Sequence, residues 1–349
     1  MAKKTVYVVG AGASYEAKLP TGTELKDRIS RLLDMRFEFD TQKSGDYEIL
    51  QALQQHTSED RSRKLLNSYL HECRHISENM PLAISIDNFI DSERGNEKLA
   101  LCGKLAIIKS ILEAERNSSL NFERQRSKRN FNFSSLENTW YLSFFRTLTE
   151  NCNKEDLIAR FENVTLIIFN YDRCIEHFLL YALMSYYRLD IQQAAELLNS
   201  LEIIHPYGTV GSLEWQDRAS STSVEFGGEL HVSRLIDYAE RIRTFTEGAH
   251  SEYMDRLIRS MRFTERLVFL GFAFHRLNME LIGGESTDRY ENPHNVECYA
   301  TAYETSKSDQ VSIQNSISYL YKNRVTSNIV NTTCSQLFRD YSRSLGYSQ

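Results

Sequence analysis

The chain has 349 residues, of which 41% are apolar and 25% charged, and its formal net charge is −6. These values are typical of a folded globular protein with a large core, and the acidic balance argues against a dedicated nucleic-acid-binding surface. No apolar run is long enough to span a bilayer, and residues 1–4 lead directly into a predicted strand without space for a signal peptide. We therefore expect a cytoplasmic protein with no membrane partner.

The first predicted element is a buried strand that ends in a glycine turn. Residues 5–9 form a nearly continuous apolar run, which favours a parallel strand buried on both faces. The turn that follows contains Gly10, Ala11, Gly12, Ala13 and Ser14. Such glycines let backbone N–H groups approach a phosphate, although Tyr15 replaces the third glycine of the usual dinucleotide-binding pattern. The alternative is a plain strand–turn–helix corner without a ligand.

A helical region follows this turn. Residues 24–35 show helical spacing of apolar side chains, which predicts a helix packed on the sheet. Residues 36–159 are polar and poor in glycine, and helical patterns recur at 47–55, 64–76, 99–115 and 136–149. We interpret residues 36–159 as a helical insertion in a nucleotide-binding domain made of residues 1–35 and 160–349. For its basic stretch, residues 116–132, a solvated loop is favoured over a phosphate-binding patch.

The remaining predicted strands lie in the second half of the chain. They cover residues 164–169, 201–204, 266–270, 295–303 and 328–330, and residues 214–230 form a Ser- and Gly-rich loop that we expect to act as a lid. Several of these strands end in glycine or polar residues. Because the carboxyl ends of parallel strands meet at one edge of a sheet, distant residues can build one site there.

The cysteine pattern limits the metal chemistry. The six cysteines are scattered and none forms a Cys-x-x-Cys pair, so neither a zinc ribbon nor a thioredoxin-like site is predicted. His71 and His75 lie four residues apart, but nothing nearby completes a ligand set, and a solvated helix face is the better interpretation. We expect no metal.

Three short motifs at strand ends resemble the sirtuin superfamily, and in particular the sirtuin-like domains of bacterial antiphage defence systems. They are the glycine turn at residues 10–14, the segment Phe169-Asn170-Tyr171-Asp172 with Glu176 one helical turn later, and the segment His205-Pro206-Tyr207-Gly208. The resemblance covers about residues 1–35 and 160–305. It implies an α/β fold with a Rossmann-like parallel sheet of sirtuin type, and NAD as the ligand.

Two departures narrow the implied activity. Leu19-Pro20-Thr21-Gly22 stands where sirtuin deacylases carry Gly-Ile-Pro-Asp-Phe-Arg, and the four-cysteine zinc module of those enzymes is absent. The sequence therefore contains no segment that would form the groove for an acyl-lysine substrate. What remains is the part that binds and cleaves NAD, so the resemblance implies an NAD glycohydrolase without a zinc module.

Cleavage of the nicotinamide–ribose bond needs few groups, because the leaving group is already cationic. His205 can act as a base near neutral pH, Asn170 can orient the ribose or a water, and Asp172 can accept from the carboxamide or a ribose hydroxyl. Structural alternatives stay open for each: a strand-end histidine, an Asx turn and a helix N-cap.

The predicted cofactor-binding residues surround these three. The turn from Gly10 to Ser14 is expected to face the pyrophosphate, and Ser14 can also cap the next helix. Thr21 and Gly22 are candidates for a cofactor loop. Gly271 and Phe272 end the strand at 266–270, where sirtuin-like folds contact the NAD phosphates, and a plain strand exit is the alternative for both.

The resemblance also implies a biological role. NAD hydrolysis depletes a shared metabolite, so we expect the toxic effector of an antiphage system, held inactive by a partner such as a HerA-type ATPase or an Argonaute-like protein. We expect a homo-oligomer, with the helical insertion as the contact region. A catalytically silent NAD or ADP-ribose sensor and a sirtuin-type deacylase or ADP-ribosyltransferase are the alternatives.

Overall fold

The central feature of the fold is a six-stranded parallel sheet. In a computed structural model, which describes residues 3–60, 62–121, 132–216, 223–245, 247, 253–283, 290, 292 and 295–347, the sheet has the order β5-β4-β1-β6-β7-β8. A separate antiparallel hairpin pairs β2 with β3. In chain order the strands are β1 (Thr5–Val9), β2 (Arg36–Glu38), β3 (Thr41–Ser44), β4 (Val164–Ile168), β5 (Glu202–Ile204), β6 (Arg266–Leu270), β7 (Val296–Thr301) and β8 (Val325–Val330).

Helices flank the sheet. In chain order they are α1 (Ala11–Tyr15), α2 (Gly22–Leu33), α3 (Tyr47–His56), α4 (Lys64–Asn79), α5 (Ile86–Ser92), α6 (Glu97–Asn117), α7 (Trp140–Thr149), α8 (Leu157–Phe161), α9 (Cys174–Tyr186), α10 (Ile191–Leu198), α11 (Leu235–Ala239), α12 (Tyr253–Arg262), α13 (Arg276–Gly283), α14 (Lys307–Leu320), α15 (Cys334–Asp340) and α16 (Ser342–Leu345). None of the described helices is long and apolar enough to cross a lipid bilayer.

The sheet follows directly from the apolar runs. β1 and β6 are buried at every residue, as expected for strands covered on both faces, and β1 pairs in parallel with β4 on one side and β6 on the other. The predicted strands at 164–169, 201–204, 266–270 and 295–303 are confirmed. The last strand is longer than predicted, since β8 begins at Val325, and the β2–β3 hairpin was not predicted.

Two cores lie on opposite faces of the sheet. Val6 and Val8 of β1 point into the core that also contains residues of α2–α6 and α11–α14. Tyr7 and Val9 point into the other core, which is built with α1, α7–α10, α15 and α16. Alternation along a single strand therefore assigns its side chains to the two cores.

The predicted helical insertion contributes to both cores. Its helices α3–α6 pack on the first face, where Leu105 and Ile108 of α6 are fully buried. Its helix α7 packs on the second face, where Trp140 and Phe144 are buried beside Tyr7. Helices α3–α7 are therefore part of the two layers that cover the sheet, and α5 reaches its carboxyl edge, where Asp87 accepts from Tyr171. Residues 122–131, most of the basic stretch, lie outside the described residues.

Candidate active site

A polar cluster lies at the carboxyl ends of β1, β4 and β5. Ser14 is in the short helix after β1, Asn170 and Asp172 follow β4, and His205 follows β5. Asn170 donates from Nδ2 to Ser14 Oγ at 2.9 Å, and the backbone carbonyl of Asn170 lies 3.2 Å from His205 Nδ1. The parallel sheet thus brings together side chains 35 and 156 residues apart in the chain. We name Ser14, Asn170, Asp172, Glu176 and His205 the strand-end cluster.

His205 is hydrogen-bonded at both ring nitrogens. Nδ1 faces the carbonyl of Asn170, so it must carry a proton and donate, while Nε2 lies 2.7 Å from Glu176 Oε1. Burial lowers the pKa of His205, but the Glu176 carboxylate and the Asn170 carbonyl outweigh it, and the net pKa is raised above 6.5. This direction and the two hydrogen bonds together favour the protonated ring, an imidazolium paired with Glu176, over the free base expected from the sequence.

Asp172 and Ser14 form the buried end of the cluster. Asp172 Oδ1 accepts from the N–H of Cys174, the first residue of α9, at 3.1 Å, but the N-cap position of that helix is occupied by Arg173 and not by Asp172. Burial raises the pKa of Asp172, and hydrogen bonds from Ser14 and Cys174 partly oppose that rise. Ser14 thus links the Asp172 carboxyl to the Asn170 amide. Only 3% of Ser14 is exposed, so its hydroxyl is committed to this network.

Asn170 keeps hydrogen-bonding capacity for a ligand. Its Nδ2 makes one bond, to Ser14, and its Oδ1 makes no hydrogen bond to the described residues. An amide oxygen accepts two hydrogen bonds, so Oδ1 can still accept from a water or a sugar hydroxyl. The bond that Asn170 donates to Ser14 fixes its side chain, and the bond that it accepts from His205 fixes its backbone.

The glycines of the first turn have a packing role. A Cβ at Gly10 would lie 2.6 Å from the carbonyl oxygen of Gly271, and one at Gly12 would lie 2.9 Å from Gly271 Cα. The Gly12 N–H donates to that same carbonyl oxygen at 3.0 Å. Gly271 itself has φ of +55°, and a Cβ there would lie 2.0 Å from the backbone nitrogen of Ala13. The turns after β1 and β6 therefore pack backbone against backbone, which explains these glycines without a ligand.

The other predicted cofactor residues have structural partners. Thr21 caps α2 in a reciprocal capping box with Glu24. A Cβ at Gly22 would meet nothing within 4 Å, so packing does not require glycine there. The Phe272 ring is buried against Phe169 and Phe274, with ring centroids 5.1 Å apart in both pairs. Among the described residues, the side-chain hydrogen bonds of Thr21 go to Glu24, and none joins Thr21 or Gly22 to the strand-end cluster.

Aromatic and acidic side chains lie on the other side of the β4 and β5 ends. Tyr171 donates to Asp87 of α5, and Tyr207 donates to Asn278 Oδ1 at 2.7 Å. Burial raises the pKa of Asp87, while the bond from Tyr171 opposes that rise. Helix α5 of the insertion therefore contacts the residue between Asn170 and Asp172 directly.

A buried ion pair, which the sequence analysis missed, ties the insertion to the cluster. Glu115 of α6 and Arg173 are both almost fully buried, and Arg173 Nη2 lies 2.5 Å from Glu115 Oε2. Glu115 also accepts from the backbone N–H groups of Arg173 and Gly227, each at 3.0 Å. Arg173 donates further to the carbonyls of Val224 and Glu225. Of the predicted lid at 214–230, residues 224–227 are thus bonded to the core, whereas residues 217–222 lie outside the described residues.

Glu176 was noted only as part of the resemblance, and Tyr141 and Glu115 were not predicted at all. A sequence signal existed for two of them, because Glu176 and Glu115 interrupt the apolar faces of α9 and α6. An ionisable residue on a buried helix face needs a partner, but the sequence does not tell which one. Tyr141, whose pKa burial raises, lies beside Asp172, Cys174 and Ser14.

Among the described residues, no group of three or more His, Cys, Asp or Glu side chains could hold a metal ion. All six cysteines are buried with free thiols. His75 instead lies 3.7 Å from Glu93, as an ion pair that forms only when the ring is protonated.

No protein-family model matches the chain, and no curated protein matches its sequence. The structure defines the class by itself: an α/β protein whose six-stranded parallel sheet is flanked by helices, an arrangement compatible with a Rossmann-like fold.

Proposed function

We propose that this protein is a sirtuin-like NAD glycohydrolase, which converts NAD and water to nicotinamide, ADP-ribose and a proton. The observation that carries the proposal is the position of Asn170, held at the carboxyl edge of the sheet by Ser14 and His205 with its Oδ1 unengaged by the described residues. In open parallel α/β sheets, ligands bind at this edge.

Asn170 is the catalytic residue of the proposal. The reaction passes through a ribosyl cation, and the enzyme needs a group that orients the attacking water or a ribose hydroxyl rather than a strong nucleophile. Asn170 Oδ1 accepts from that hydroxyl or water, while the bond from Nδ2 to Ser14 stops the amide from rotating. Ser14 and Asp172 are then positioning residues.

His205 has a different role from the one inferred for it from the sequence. Because both of its ring nitrogens are bonded, accepting a proton from substrate would require breaking the bond to Asn170 or to Glu176. We therefore assign His205 and Glu176 as a charge pair that positions Asn170. The second carboxylate oxygen of Glu176 is buried and has no hydrogen-bond partner in the described residues.

The second candidate function is a silent sensor that binds NAD or ADP-ribose without cleaving it. The observation that favours it is the closed hydrogen bonding of His205 and Ser14, which leaves little of the cluster unsatisfied. A transferase that moves ADP-ribose onto a protein differs from the hydrolase and from the sensor because its product is ADP-ribosylated protein.

Product analysis distinguishes these functions. Purified protein is incubated with NAD labelled in the adenylate, and nicotinamide, free ADP-ribose and protein-bound label are each quantified. The proposal predicts nicotinamide and free ADP-ribose in equal amounts. Bound NAD without nicotinamide favours the sensor, and label on protein favours the transferase.

The matched control is an asparagine at the opposite end of the same strand. Asn163 precedes β4, is half-buried and donates to the carbonyl of Ala159 at 2.8 Å. Asn163→Ala is expected to keep full activity, whereas Asn170→Ala is expected to lose about 10²–10³-fold in kcat, the usual cost of removing one positioned polar group. Equal activity of the two variants would contradict the assignment of Asn170.

The role as a toxic antiphage effector, its cytoplasmic location and its control by a HerA-type ATPase or an Argonaute-like protein belong to the same proposal. Large apolar side chains are exposed on the insertion, including Phe39 at 95% and Leu82 at 84% exposure. We assign the partner contact to this region. Leu82→Asp is expected to weaken co-purification with the partner and leave NAD cleavage by the isolated chain unchanged.

A further inference from the structure

The two edges of the sheet are built differently. β5, at one edge, has three residues, and its Glu202 is bonded to Arg256 at 3.0 Å and Ser260 at 2.9 Å. β8, at the other edge, has six residues, Val-Thr-Ser-Asn-Ile-Val, with no charge and no proline. Natural proteins usually protect a sheet edge with short strands, charges or proline. The edge at β5 has such protection and the edge at β8 lacks it.

The backbone groups that β8 presents outward can be assigned from its pairing with β7. The Val296 N–H donates to the carbonyl of Arg324, and the Ala302 N–H donates to the carbonyl of Val330. Because alternate residues of a strand face the same neighbour, the even-numbered residues from 324 to 330 bond to β7. The N–H and C=O groups of Val325, Ser327 and Ile329 therefore face away from the sheet, and none of them bonds to the described residues.

A groove runs along this outward edge. Its volume is about 470 Å³, and it is lined on one side by α14 and on the other by Tyr341. Residues 327–330 of β8 form its floor, and Lys307 is the charged residue in the lining. Val311 of α14, which also lines the groove, is 56% exposed. The groove thus offers unpaired backbone groups between largely uncharged walls, which suits an extended strand.

We propose that β8 is the interface of a homodimer, in which the β8 strands of two copies pair antiparallel about a two-fold axis through Ser327. This pairing places Ser327 opposite Ser327 of the second copy and Val325 opposite Ile329 of the second copy. Three outward-facing residues on each strand then form about six main-chain hydrogen bonds and join the two sheets into one.

The side chains favour a second copy over an unrelated strand. Val325 and Ile329 lie on the face of the sheet that α14 covers, where both pack against the first core. A two-fold axis perpendicular to the sheet keeps them on that face, so each β-branched side chain meets another across the interface. No charge opposes a like charge along the strand, although the chain as a whole has a net charge of −6. The same axis puts the exposed Val311 of both copies on one side of the joined sheet.

Charge substitutions at Ser327 test the proposal, because this residue faces its own copy. Wild-type protein is expected to sediment as a dimer across the micromolar range. Ser327→Lys and Ser327→Glu are each expected to raise the dimer dissociation constant at least about tenfold, since each variant opposes like charges. An equimolar mixture of the two variants is expected to restore dimers, because lysine then faces glutamate.

Ser316→Lys provides the matched control. Ser316 is exposed on α14, on the side of the helix away from the groove-lining residues 307, 310, 311 and 314. This variant is expected to dimerise like wild type, and circular dichroism checks that all variants are folded. A monomeric wild type, an unchanged dimer in Ser327→Lys, or a mixture that stays monomeric would each overturn the proposal.

Discussion

The buried pair of Glu115 and Arg173 gives the sharpest prediction about stability. Its carboxylate accepts from the Arg173 side chain and from two backbone N–H groups, and both side chains are at most 1% exposed. Glu115→Gln keeps the size of the side chain but removes the negative charge. Without that charge, the guanidinium of Arg173 stays buried without a counter-ion. The amide NH₂ group of glutamine also faces N–H donors, to which it cannot hydrogen-bond.

The expected cost is large. Breaking a buried ion pair by removing one partner typically costs about 3–5 kcal/mol. A chain of this length has an unfolding entropy of about 0.7 kcal/mol/K at its melting temperature, so the melting temperature falls by about 4–7 °C. Thermal unfolding followed by circular dichroism measures this change. Because Arg173 adjoins Asp172, any NAD cleavage is expected to decline in the same variant before the protein unfolds.

The control is the exposed pair of Arg276 and Glu280 on α13. Its atoms are 2.7 Å apart, so it matches the buried pair in distance but not in environment. Glu280→Gln is expected to leave the melting temperature unchanged, because water solvates the remaining guanidinium. If Glu115→Gln melts within 1–2 °C of wild type, the reasoning about this buried pair is refuted.

Two further predictions follow from the described geometry. Gly271→Ala is expected to destabilise or abolish the fold, because its Cβ would lie 2.0 Å from the Ala13 nitrogen at a φ of +55°. The control Gly22→Ala, with open space around the new Cβ, is expected to be neutral or slightly stabilising. Comparable unfolding free energies for the two variants would contradict the close packing of the two turns. Burial lowers the pKa of His205, but Glu176 raises it by more, so the pKa is higher in the folded than in the unfolded state. The pair therefore stabilises the fold fully below pH 6.5, and this stabilisation is lost as the pH rises through the folded-state pKa. The difference in unfolding free energy between wild type and His205→Gln should therefore be larger at pH 6 than at pH 9. A difference that does not change with pH would contradict the assignment of His205 and Glu176 as a charge pair.

The strands were predictable because their sequences carry a strong local signal. Residues 5–9, 164–168 and 266–270 are apolar at nearly every position, and such runs are typical of strands buried on both faces. The β2–β3 hairpin had no comparable signal, since Arg36–Glu38 is exposed at each residue and pairs only locally. Helix positions were predictable from apolar spacing, whereas the assignment of α3–α6 and α7 to opposite faces depends on tertiary packing.

The candidate site was predictable in its members but not in its bonds. Polar residues at strand ends indicated that Ser14, Asn170 and His205 would lie close together, and they do. The sequence could not show that both nitrogens of His205 are bonded, because the second bond comes from Glu176, in the first turn of a different element, α9. The glycine turn was predicted to bind a phosphate because the sequence does not show which backbone packs against it. In the structure, its glycines allow close contact with the backbone of Gly271.

The proposal depends most directly on whether Asn170 acts on the bond between nicotinamide and ribose. Proton NMR of wild-type protein with NAD follows the loss of the anomeric signal of the nicotinamide riboside and the rise of free nicotinamide, with Asn170→Ala and Asn163→Ala measured at equal folded concentration. The account predicts release of nicotinamide by wild type and Asn163→Ala and a loss of about 10²–10³-fold in Asn170→Ala. Release by Asn170→Ala at the wild-type rate would contradict it.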